Sequence, residues 1–188
     1  AVERATRVRL LALLAYEHGA VGPAAVAQAI AALPTDESTI HEVQMARAYL
    51  RLLAGDARGA AEALSTLPGA TSPEDALLLA RIHLALGQMD RAVAQAQDAS
   101  RVRPDAPRYT LGLALALAVS GDWVAALATL DGTPDLARSP TARVLRARVL
   151  VATGSDPDRA AEEARAILAD AKAALPPSAR GWAQLIRG

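Results

Sequence analysis

Apolar residues recur along this chain at three- and four-residue intervals, in runs of ten to fourteen residues cut by single glycines or prolines. LLALLAYEHG is followed by PAAVAQAIAALP, and PEDALLLARIHLALG by QMDRAVAQAQDASRVRP. Spacing of that kind lines one face of a helix, whereas a half-buried strand would alternate. Punctuation cuts the helices into pairs. Gly55, Gly87, Gly121 and Gly154 stand 32, 34 and 33 residues apart, each closing an apolar run. Five or six residues beyond each lies Ala60, Ala92, Ala126 or Ala160, at intervals of 32, 34 and 34. Two independent series with one period of about 34 residues predict a tandem repeat of helix, tight turn and helix.

Helix boundaries are written in the same register. Ser72-Pro73-Glu74-Asp75 offers a side-chain cap, a first-turn proline and acids where the first N–H groups lack partners. Ser139-Pro140 and Asp156-Pro157 repeat the device, and Asp56 and Asp122 are placed to cap second helices just after their turn glycines. Pro34, Pro68, Pro104, Pro134 and Pro176 end the units. The expected hairpins occupy residues 4–35, 41–72, 73–106, 107–139 and 140–177 of a single repeat domain, 1–188. A short helix at 178–188 would cover the last of them with Trp182, Leu185 and Ile186, or begin a sixth unit.

The third unit resembles a tetratricopeptide repeat. Leu79-Ala80 is its large–small pair, His83 stands where Tyr is usual, Gly87 makes the turn, Ala92 and Ala99 are the small packing residues, and Pro104 closes it. The fourth is similar through Leu113-Ala114, Leu117, Gly121, Trp123 and Ala126. Units two and five depart from the pattern, with Arg47, Arg51, Arg143 and Arg146 at usually apolar places and one extra residue in the turn of unit five. The resemblance implies an all-α fold, a right-handed superhelical stack of about five antiparallel hairpins with a C-terminal capping helix. It also implies that first helices line a concave groove that binds protein. The groove residues so expected are Met45, Tyr49 and Leu52; Leu77, Arg81 and Leu84; Leu111, Leu115 and Ala118; and Val144, Arg148 and Val151. Helix TLGLALALAVS has no charged face, and a helix apolar all round needs cover all round, so an open inner face would invite a partner helix or a second copy. The carboxylate-clamping mode, which uses Lys and Asn, looks absent, because Lys172 is the sole lysine and no Asn occurs.

Composition narrows the class further. Hydrophobic residues make up 52% with no Phe, no Cys and 3% aromatics. Ala, Leu and Val therefore build the core, and Ala and Leu favour helix over sheet. Twenty basic residues balance twenty acidic ones, which argues against nucleic acid as a partner. Without cysteine there is no disulfide or thiolate chemistry, and either cytoplasm or periplasm would suit a soluble chain. The opening AVERATRVRL does not read as a secretory signal, and the run from Leu111 to Val119 is too short to span a bilayer. The scarcity of Lys and Asn fits a GC-rich bacterial genome.

Candidate chemistry is sparse, and neither a cofactor nor a metal site is expected. His18, His41 and His83 fall in three different units, with His83 expected as a packing residue. The acid pairs Asp36/Glu37, Glu74/Asp75, Asp156/Asp158 and Glu162/Glu163 sit in or near first helical turns, where the dipole favours them. Glu162 and Glu163 could also pair with Arg159 or Arg165. An arginine cluster, Arg138, Arg143, Arg146 and Arg148, is either a solvated face or a binder of carboxylates. The expected role is a non-enzymatic scaffold binding an apolar or amphipathic segment of a partner protein, a helix being one form it can take. The alternatives are a homodimerisation module and the regulatory domain of a larger enzyme or transcription regulator.

Overall fold

The computed structural model describes residues 2–34, 40–67 and 69–162. All regular structure among them is helical. They fall into two compact units, 2–71 and 72–162, where a single repeat domain was expected.

In the first unit, α1 (Val2–His18) and α2 (Pro23–Ala31) form one hairpin, and α3 (His41–Leu53) and α4 (Ala57–Ser65) a second. Helix α3 packs on α1, α2 and α4. Alanine is what permits the approach, since Ala5, Ala12 and Ala15 of α1 and Ala46 and Ala48 of α3 are buried. Met45 and Tyr49 are also buried, and the Tyr49 ring lies 5.5 Å from that of Tyr16 on α1.

In the second unit, α5 (Pro73–Ala85) pairs with α6 (Met89–Val102), and α7 (Pro107–Ser120) with α8 (Trp123–Asp131). A short 3-10 turn, Pro134–Arg138, leads to α9 (Pro140–Thr153), and residues 157–162 are again helical. First helices form a layer, with α7 touching α5 and α9, and α7 is flanked as well by α6 and α8. One core cluster joins Leu117, Ala126, Leu130, Leu145 and Val149.

The predicted caps form. Ser72 and Asp75 make a reciprocal capping box, with Asp75 N–H donating to Ser72 Oγ at 3.2 Å and Ser72 N–H to Asp75 Oδ2 at 3.0 Å. Asp56, Asp122, Ser139 and Asp156 each accept the N–H three residues on, at 2.8, 3.1, 3.4 and 2.9 Å. The turn glycines behave alike. Gly87 at φ 73° and Gly121 at φ 92° hold the left-handed conformation that closes a helix end. The following N–H groups, of Gln88 and Asp122, reach back to the carbonyls of His83 and Leu117 at 2.9 Å. The expected capping helix 178–188 lies outside the described residues.

The 3-10 turn is an element that the repeat pattern did not foretell. Pro134 supplies its first-turn proline, and Leu136 is buried in the same cluster as Leu130 and Leu145. An expected terminator therefore also starts a short helical plug beneath α8 and α9.

Candidate partner-binding face

Among the described residues, packing encloses much of what the first helices were expected to display. Helix α7 was expected to expose an uncharged face, yet Tyr109, Thr110, Ala114, Ala116, Leu117 and Ala118 are buried, and Leu111, Leu113 and Leu115 are half-buried. Its four helical neighbours consume the surface that looked unpartnered. Val119 remains, exposed to 39%.

The groove residues sort accordingly. Met45, Tyr49, Leu77, Ala118 and Val144 are buried and serve packing rather than display. Leu77 shows how: its side chain occupies the place where a Cβ at Gly112 of α7 would sit. Leu52, Arg81, Leu84, Leu111, Leu115 and Arg148 are half-buried, and Val151 is 72% exposed. In the second unit the reachable positions form two rows across α5, α7 and α9. Arg81, Leu115 and Arg148 occupy one register; Ala85, Val119 and Ala152, with Val151 beside it, occupy the next helical turn. Ala85, Val119, Val151 and Ala152 are all exposed. Leu52 stands three residues before Gly55, the register of Leu84, Ala118 and Val151 before their own glycines.

The arginines expected as a cluster are divided. Arg146 is buried, donating from Nε to Asp131 Oδ1 at 3.0 Å and from a terminal nitrogen to the Leu130 carbonyl at 3.1 Å. Two residues on, Arg148 lies over the Trp123 ring, 5.9 Å from its centroid, a cation–π contact. Arg138 is exposed and Arg143 half-buried. Arg159 also reaches Asp131, at 2.7 and 3.0 Å, a partner the sequence did not suggest. Burial pushes the Asp131 carboxyl up, but its bonds to Arg159 and Arg146 outweigh that and hold it below the usual range.

The acid pairs take structural duties where they are described. Asp75 closes the capping box, Asp156 caps the last described helix, and Glu74 accepts a short hydrogen bond from Tyr109 on α7. Burial, then the bond to Glu74, pushes the Tyr109 hydroxyl up to about 12. Asp36, Glu37 and Glu163 lie outside the described residues. His83, expected as a packing residue, is half-buried, with Nδ1 2.8 Å from Gln88 Oε1 across the turn. Among the described residues no group of three or more His, Cys, Asp or Glu could hold a metal ion. No helix among them is long and apolar enough to cross a membrane.

The sequence missed the Asp131–Arg146–Arg159 network, Tyr109 with Glu74, and Trp123 with Arg148. Only the first left a trace, as an arginine at an apolar repeat position.

Residues 77–142 match the tetratricopeptide repeat family. No curated protein and no solved structure matches the chain. The family match runs from within α5 to the start of α9 and covers the two hairpins whose turn glycines, caps and small packing residues follow the pattern most closely. Over that span the chain is built of tetratricopeptide repeats, antiparallel helical hairpins of a family whose repeats generally mediate contact between proteins.

Proposed function

We propose that this chain is a non-enzymatic interaction module whose first-helix layer in residues 72–162 docks an apolar or amphipathic helical segment of another protein. One observation carries the proposal. In α5, α7 and α9 the exposed Ala and Val side chains fall in one place, the last turn before each glycine: Ala85 before Gly87, Val119 before Gly121, and Val151 and Ala152 before Gly154. Packing between repeats uses the positions two turns earlier, Leu77, Leu111 and Val144, so the hairpins can stack and still present a continuous apolar strip. Half-buried Leu84 and Leu115 extend it inward, and Arg81 and Arg148 border it.

The test uses a designed amphipathic helix of Leu and Gln, followed by fluorescence anisotropy. Binding to the native chain, with at least about a tenfold loss in Val119→Asp/Val151→Asp, supports the assignment. Val124→Asp is the control, because Val124 is 75% exposed but lies on α8, in the other layer. Equal affinity for all three proteins would remove the face from consideration. Leu77 and Met45 are unsuitable for this purpose, since a charge at either buried position would act through unfolding.

A further inference from the structure

We draw no further inference here: the strongest candidate, the exposed apolar surface patch at the last turns of α5, α7 and α9 formed by Ala85, Val119, Val151 and Ala152, belongs to the face already described, nothing in the structure shows what covers it, and Arg81 beside it is already engaged within the chain.

Discussion

Asp131 shows how one side chain can hold a degenerate repeat together. It accepts from buried Arg146 on α9 and from Arg159 beyond the next turn, so three elements meet on one carboxylate. The two ends of the Arg146 pair are not equivalent. Asp131→Ala takes the carboxylate from a buried guanidinium that also donates to the Leu130 carbonyl, and should cost about 2–3 kcal/mol. Arg146→Met leaves a partly exposed carboxylate still paired with Arg159 and should cost about 1 kcal/mol or less. Urea denaturation of the two variants checks the order, and equal losses would show that Arg146 tolerates isolation. Because the folded Asp131 carboxyl sits below its ordinary value near 3.8, the unfolded chain takes up the proton first as pH falls. Its contribution is present above about pH 4 and is lost below that, so the acid limb of native stability should flatten in Asp131→Asn. Tyr109 acts at the other extreme. Its raised value, about 12, means that the unfolded state ionises first, and the stability it contributes is complete below about pH 10 and lost between there and 12. Ultraviolet titration of the native chain against Tyr109→Phe should isolate that late step.

At the scale of the helix, Gly112 is informative because a glycine inside a helix costs about 1 kcal/mol relative to alanine. The compensation is contact: Leu77 fills the space a Cβ would take, and Leu77 is itself enclosed with Ala76, Ala99 and Tyr109. Gly112→Ala gains helix propensity but overpacks a site with little room, so a net loss of about 1 kcal/mol is expected. In the Leu77→Ala background the same change should turn stabilising, and a thermal-melt double-mutant cycle reads the reversal. Additive effects would mean that Leu77 has space to move aside. This pair also marks where sequence reasoning stopped. Glycine spacing and the Ser, Asp and Pro caps were legible because they act within one helix end, through bonds between residues three to six apart. Leu77 was misread as a display position because its partner lies thirty-five residues away, on the next first helix. Arg146 looked like a surface charge for the same reason, its acceptor standing at the end of α8. Arginines 81 and 148 and the exposed Val151 remained reachable, since they sit one to two turns along their helices from the contact row.

Across the molecule, enclosure varies within each unit, and local stability should follow it. In 72–162 the apolar helix α7 has α5, α6, α8 and α9 around it, and its buried side chains run from Tyr109 to Ala118. In 2–71 the opposite case is α2, where Val26 is the buried residue of a nine-residue helix. So short a helix has little stability of its own and depends on the contacts that Val26, with half-buried Ile30, can make. Opening α2 exposes little apolar surface, whereas opening α7 uncovers the cores on both of its sides. Amide exchange followed by mass spectrometry should therefore find the slowest amides of the second unit in the middle of α7, around Ala114 to Leu117. The fastest helical amides of the first unit should lie in α2. If α7 exchanged as fast as α2, its burial would not translate into protection. The apolar run that looked like an open invitation would then owe its sequence to something other than the core it fills. With the expected order, α7 is a rigid spine, and the strip proposed for docking, at its final turn, is displayed by the most stable helix of that unit.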